Sequence, residues 1–117
     1  MKRILVLEDD SFRARFFIER YGQHSLRVIE NAQAAIEYLK ANTYDYLFLD
    51  NDLGEGNGEG QDVANFLHMN PTNPNNYARI IIHSWNIPAS ERMQAKLPRA
   101  RRAMFNTAEF HNLNLDI

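Results

Sequence analysis

The chain has 117 residues, 44% apolar and 24% charged, with a formal net charge of −2 and no cysteine. That length suits one domain with its own core, and no basic field argues for nucleic acid or an anionic membrane surface as a partner. The lack of cysteine excludes disulfides, thiol catalysis and thiolate-held zinc, and no apolar run approaches the roughly 20 residues a membrane-crossing helix needs.

Met1-Lys2-Arg3 leads directly into an apolar run rather than a signal-peptide core, so the expected compartment is cytoplasmic. Residues 3–8 predict a short buried strand that stops on Glu8, Asp9 and Asp10. Asp10 or Ser11 can cap a helix running to about Tyr21, with Phe12, Arg15/Phe16 and Glu19 at helical spacing and Gly22 as a stop. Leu26–Glu30 predicts a second strand. Asn31 can cap a helix over 32–41 with Ala32, Ala35, Ile36 and Leu39 on its apolar face. Residues 45–50 predict a third strand whose run from Tyr46 to Leu49 is continuously apolar, as a strand covered on both faces should be, and it too stops on acids, Asp50 and Asp52.

Gly54, Gly56, Gly58 and Gly60 then interrupt regular structure and predict a mobile rim. A helix fits 61–69. Asn70–Asn76, with two prolines and four asparagines, predicts an irregular connection. Residues 79–84 predict a fourth strand ending in His83 and Ser84, followed by Trp85 and Asn86. Pro88 suits the first turn of a helix ending near Leu97. Residues 101–105 predict a weak fifth strand, and 107–114 a short closing helix. Phe12, Phe16, Phe17 and Phe66 are expected in the core.

Strands alternating with helices predict an α/β fold: a single three-layer domain over residues 1–117, doubly wound, with a parallel sheet and right-handed crossovers. In such a sheet the carboxyl ends of neighbouring strands line one crevice, where ligands bind. Eight of the fifteen acids lie in two short windows, 8–10 and 50–62. Clustered carboxylates repel unless a cation sits between them, and hard oxygen ligands suit Mg²⁺ or Mn²⁺. Asp9 and Asp50 lead this set, with helix capping as the alternative. Glu8 is a further metal candidate, unless strand alternation turns it to another face. Asp52 reads as a third carboxylate, a general base or a turn former.

His83 reads as a proton-transfer group or as a hydrogen-bonded core histidine. Ser84 can donate to a phosphate oxygen, although alternation puts it on the opposite face from His83 unless the chain bends. Asn86 can orient a ligand or shape the loop, and Trp85 can stack on a ligand or cover the crevice. His24, His68 and His111 show no metal-ligand spacing, and the glycine segment lacks the Gly-Lys-Ser/Thr ending of a P-loop. The basic residues Arg92, Lys96, Arg99, Arg101 and Arg102 form either a solvated face or a surface for phosphate or a partner.

Ile4-Leu-Val-Leu-Glu-Asp-Asp10, with Ala34-Ala-Ile-Glu-Tyr-Leu39 and Tyr44-Asp-Tyr-Leu-Phe-Leu-Asp50, resembles response-regulator receiver (CheY-like) domains over nearly the whole chain. The resemblance implies a flavodoxin-like, five-stranded sheet of order 2-1-3-4-5. It also implies a Mg²⁺-holding pair at Glu8 and Asp9, a phosphate-accepting Asp50, and a phosphoryl contact from Ser84. The chain departs from that pattern in four places. Leu53-Gly54 replaces a Met-Pro-like pair, and Asn51-Asp52 adds an acid. No lysine stands within Ala103-Met-Phe-Asn-Thr107, and Phe105 is the nearest aromatic switch candidate. Leu49-Asp-Asn-Asp-Leu-Gly54 with His83-Ser-Trp-Asn-Ile-Pro88 is similar to the atypical cyclic-phosphate processing receiver subgroup, with Asn51 in place of a histidine and Ile87 inserted before the proline.

Three functions remain open. The first is a metal-dependent phosphoesterase acting on cyclic phosphates through Asp50, His83 and Ser84. The second is a stand-alone signalling receiver that takes phosphate on Asp50 from a phosphodonor and passes the signal to a separate protein partner. The third is a binding module without turnover. The first two imply a phosphate-bearing small molecule or phosphodonor, the third a ligand or protein partner, and none calls for nucleic acid or a membrane.

Overall fold

Five parallel strands, β1 (Arg3–Leu7), β2 (Ser25–Ile29), β3 (Tyr46–Leu49), β4 (Arg79–Ile82) and β5 (Arg101–Arg102), form one sheet of order β2-β1-β3-β4-β5. The computed structural model describes all residues from Met1 to Ile117. Helices α1 (Ser11–Tyr21), α2 (Ala32–Ala41), α3 (Gly60–Met69), α4 (Ile87–Lys96) and α5 (Ala108–His111) connect or close the strands. The expected α/β architecture and strand order are present. No helix is long and apolar enough to cross a membrane.

Strand alternation divides the core into two layers. Leu5, Leu7, Leu47, Leu49, Ile80 and Ile82 point to α2, α3 and α4, where they meet Ala35, Leu39, Val63, Leu67 and Met93. Ile4, Val6, Tyr46, Phe48 and Ile81 point the other way, onto Phe17 and Tyr21 of α1 and Phe110 of α5. Both faces are therefore covered, which is why β1 and β3 carry no polar residue between Ile4 and Leu7 or between Tyr46 and Leu49.

Helix α1 corrects the expected apolar stripe. Its buried residues are Phe17 and Tyr21, four apart as one helix face requires, and Arg13 lies one turn before them. Phe12 is not in the core: it is 78% exposed. Its neighbour in the expected stripe, Phe16, is half-buried and stacks edge-on against Phe17 and Phe105. Phe66 is likewise half-buried.

The fifth strand is only two residues long, and β4 stops at Ile82 rather than Ser84. Main-chain pairing nonetheless continues past both ends, with His83 N–H donating to the Leu49 carbonyl and Phe105 N–H to the His83 carbonyl. The closing helix covers four residues rather than the eight expected. The asparagine-rich connection contains a 3₁₀ turn, Pro74–Tyr77. Its buried Asn75 donates to the carbonyls of Leu39 and Asn42 and accepts from Tyr44 N–H, so this segment plugs the far end of the sheet.

In the glycine segment Gly54, Gly56 and Gly58 are exposed and Gly60 is buried. A Cβ placed on Gly60 would lie 1.8 Å from the Asp50 carbonyl oxygen. That contact lets α3 begin directly against the end of β3, capped by Glu59 and Asp62. Gly60→Ala is expected to cost about 3 kcal/mol or more, since backbone must move to admit the methyl group. A urea melt of the variant checks this, and a change below about 1 kcal/mol would show that the α3 entry yields freely.

Candidate functional site

The strand register sets the site. β1 and β3 pair Leu7 with Leu49, and β3 and β4 pair Leu49 with Ile82. Glu8, Asp50 and His83 are the next residues along the three strands. All three continue the alternation that faces α1, and all three are buried: Glu8 0%, Asp50 5% and His83 1% exposed. One ligand atom from each lies within 4.8 Å of the others.

Glu8 is the most constrained member. Its Oε1 accepts from Arg13 Nε at 3.0 Å and faces His83 Nε2 at 2.9 Å. Its Oε2 accepts from Arg13 Nη2 and from Asp10 N–H, both at 3.1 Å. Burial pushes the Glu8 carboxyl up, but the hydrogen bonds from His83 and Arg13 outweigh it and hold the group down at about 2. An ionised Glu8 makes Nε2 the protonated nitrogen of His83. Nδ1 of His83 is then the one buried side-chain polar atom with no partner.

Asp50 has the opposite balance. Burial raises its carboxyl to about 6 against the attraction of His83, with Glu8 adding repulsion. Asn51 N–H donates to its Oδ1, and Arg13 Nη2 stands 3.6 Å from its Oδ2. Arg13 therefore straddles both carboxylates, and its hydrogen bonds to Glu8 hold it charged. The sequence reading did not single out this residue. Its signal was the i, i+4 spacing to Phe17, which puts Arg13 on the inward stripe of α1.

Asp9 lies outside the Glu8–Asp50–His83 group. Its carboxylate meets the turn after β3, with Oδ2 3.2 Å from where a Gly54 Cβ would lie. Burial raises its carboxyl, and Glu8 and Asp10 add repulsion. Asp10 caps α1, accepting from Arg13 N–H at 2.9 Å. Asp52 is exposed and accepts from the side-chain amides of Asn51 and Asn86. Asn86 also caps α4 by accepting from Ala89 N–H, so it shapes the loop and reaches the crevice at once.

A crevice of ≈ 180 Å³ is lined by Arg13, Asp50, Asp52, His83, Ser84, Trp85 and Asn86. It is smaller than pockets that enclose a whole drug-sized ligand, so it suits a phosphate-sized group with the remainder outside. Ser84 is buried at its edge and its Oγ accepts from Asn86 N–H. Trp85 stands at the rim, 65% exposed, with Nε1 donating to the Phe105 carbonyl at 2.7 Å. The basic stretch beyond Arg92 stays outside: Arg92 donates to Gln61, Arg101 pairs with Glu109, and Arg102 with Glu91.

The donor set fits a small hard cation. Asp50 lines the crevice and its Oδ2 makes no hydrogen bond, while Asp9, outside that lining, meets repulsion from Glu8 and Asp10 against the attraction of Arg13. Both Glu8 oxygens are already doubly engaged, so Glu8 reaches a cation only by releasing Arg13 or His83.

A family model described as the cyclic-phosphate processing receiver domain matches residues 3–99. Among solved structures, the chain is similar to the response regulator TrrA of Thermotoga maritima in complex with Mg²⁺–BeF. That pair shares 22% identity and a TM-score of 0.71, covering 95% of this chain and 94% of the other. A Burkholderia pseudomallei response regulator, solved with a phosphorylated aspartic acid, a calcium ion and citrate, gives 19% identity and a TM-score of 0.71, covering 95% and 64%. A CheY-like receiver domain of Methanospirillum hungatei gives 13% identity and 0.68, covering 95% and 86%. At these identities the likenesses establish the fold alone. No curated protein matches the sequence.

Proposed function

The chain belongs to the cyclic-phosphate processing receiver domain family, and from that premise we propose that its crevice holds a divalent cation and a phosphate group and opens cyclic phosphates to monoesters. The observation that carries this reading is the Glu8–His83 pair. A buried carboxylate fixes the imidazole through Nε2 at 2.9 Å and leaves Nδ1 buried and unpartnered on a residue that lines the phosphate-sized crevice. A carboxylate-oriented histidine with a free nitrogen is a proton-transfer device.

Asp50 and Asp9 would hold Mg²⁺ or Mn²⁺, with Asp52 available at the mouth. When bound, the cation supplies Lewis-acid polarisation of a phosphoryl oxygen and offsets the charge on both carboxylates. His83 Nδ1 takes a proton from the attacking water as its oxygen bonds to phosphorus. The ring P–O bond breaks, and the proton passes to the departing alkoxide. Ser84 and Asn86 orient the phosphate oxygens, and Trp85 covers the part of the ligand that projects from the crevice.

A second reading has its own support. The Thermotoga and Burkholderia structures carry Mg²⁺–BeF and a phosphorylated aspartate, and Asp50 occupies the end of β3 at the crevice. In this reading Asp50 attacks a phosphodonor and carries the phosphoryl group itself. One experiment separates the two. The protein is incubated with Mg²⁺ and a panel of cyclic phosphates, followed by phosphorus NMR, and in parallel with acetyl phosphate, followed by intact mass. Monoester formation that His83→Ala reduces by roughly 10²-fold or more supports ring opening. A phosphoryl adduct lost in Asp50→Asn, with no monoester, supports the phosphoacceptor.

A further inference from the structure

We infer that Arg13 is the phosphate-binding cation of the crevice. The inference rests on the reading of that crevice as a phosphate site. Arg13 is the third residue of α1, and its backbone N–H is fixed on the capping carboxylate of Asp10. From there its guanidinium crosses the end of β1. Nε and Nη2 form a two-pronged bond to Glu8, and the same Nη2 stops 3.6 Å from Asp50. Nη1 makes no hydrogen bond within the protein, and the side chain keeps 31% of its surface exposed while the two acids it spans are buried.

The crevice holds no other permanent cation. Its lining carries two carboxylates, from Asp50 and Asp52, and one guanidinium. Segment 103–107 at the end of β5 contributes none, since it reads Ala-Met-Phe-Asn-Thr. A phosphate entering beside Asp50 therefore meets like charge on two sides and finds its counter-charge at Arg13. A planar guanidinium already held along one edge presents its other edge with little further loss of freedom, and that fork matches two phosphate oxygens. Glu8 then acts as a positioning residue that aims Arg13, in addition to orienting His83.

The competing account makes Arg13 a structural neutraliser of Glu8. Arg13→Lys separates them, because it keeps a cation beside Glu8 and loses the fork. Arg13→Gln removes the charge, and Arg13→Lys still decides the question if the Gln variant does not fold. Orthophosphate is titrated into wild type and both variants, with and without Mg²⁺. Binding is followed by the fluorescence of Trp85, the single tryptophan, and thermal melts confirm folding. The expected result is a roughly 10- to 100-fold loss of phosphate affinity in both variants, with Mg²⁺ affinity unchanged or raised. Phosphate affinity unchanged in a folded Arg13→Lys overturns the inference and leaves the phosphate site standing. Arg13-dependent phosphate binding indifferent to Mg²⁺ supports the inference and removes the metal from the proposed function. No phosphate response in wild type, with or without Mg²⁺, overturns both.

Discussion

Asp50→Asn is expected to stabilise the protein at pH 7.5, against the usual direction for a mutation of a buried, hydrogen-bonded residue. The Asp50 carboxyl titrates near 6 in the fold, because burial outweighs its attraction to His83 and Arg13, and near 3.8 when unfolded. Between those values the native state binds more protons than the unfolded state, so stability falls as pH rises through the window. Above pH 6 the full cost of the buried charge is present, on the order of 3 kcal/mol. An amide of the same shape removes it, so the variant should gain about 2–3 kcal/mol at pH 7.5, or on the order of 10 °C in Tm. The gain should vanish below about pH 4. Mg²⁺ should raise the Tm of wild type and leave that of Asp50→Asn unmoved, since the same carboxylate is the proposed ligand. Thermal melts at pH 4 and 7.5, with and without Mg²⁺, test both parts. A destabilised Asp50→Asn at pH 7.5 would contradict this description of the site.

The same chemical change on the next strand should do the reverse. Glu8→Gln replaces a carboxylate that accepts from Arg13, His83 and Asp10 N–H with an amide whose nitrogen must face at least one of those donors. Removing one partner of a buried charged network costs about 3–5 kcal/mol. The Glu8 carboxyl sits near 2 in the fold and 4.5 when unfolded, so its contribution is complete above pH 4.5 and is lost as pH falls toward 2. Wild type should therefore pass through a stability maximum where the two windows overlap, at about pH 4. Glu8→Gln should be destabilised at every pH above that maximum. Denaturant titrations across pH 2–8 check this, and a Glu8→Gln protein as stable as wild type at pH 7 would mean that Arg13 and His83 do not depend on Glu8.

Much of this was legible in the sequence, for identifiable reasons. Strand after helix after strand, with polar residues at three strand ends, was enough for a parallel α/β sheet and for placing Asp50, His83 and Ser84 at one crevice, while the order 2-1-3-4-5 followed from the resemblance to receiver domains. Period-two alternation also implied that Glu8, Asp50 and His83 share a face, given the register Leu7–Leu49–Ile82; without the register, that face could not be assigned. Arg13 was missed because a lone arginine in an amphipathic helix reads as solvated. Only Phe17 and Tyr21, not Phe12 and Phe16, show which stripe turns inward. Gly60 was read as part of a mobile rim because close backbone approach to Asp50 leaves no trace in composition. Asn75, buried at the far end of the sheet, was taken as turn punctuation because its three hydrogen bonds reach residues more than 30 positions away.

Asp9 and Asp50 follow the ends of the adjacent parallel strands β1 and β3, and the proposed function has them hold a divalent cation beside the Arg13 guanidinium. Crystals grown with Mn²⁺ and measured for anomalous scattering test it most directly. The account predicts one strong peak coordinated by oxygens of Asp9 and Asp50, with Arg13 still forked on Glu8. A crevice without a peak at saturating Mn²⁺, or a peak whose ligands exclude Asp50, would contradict it.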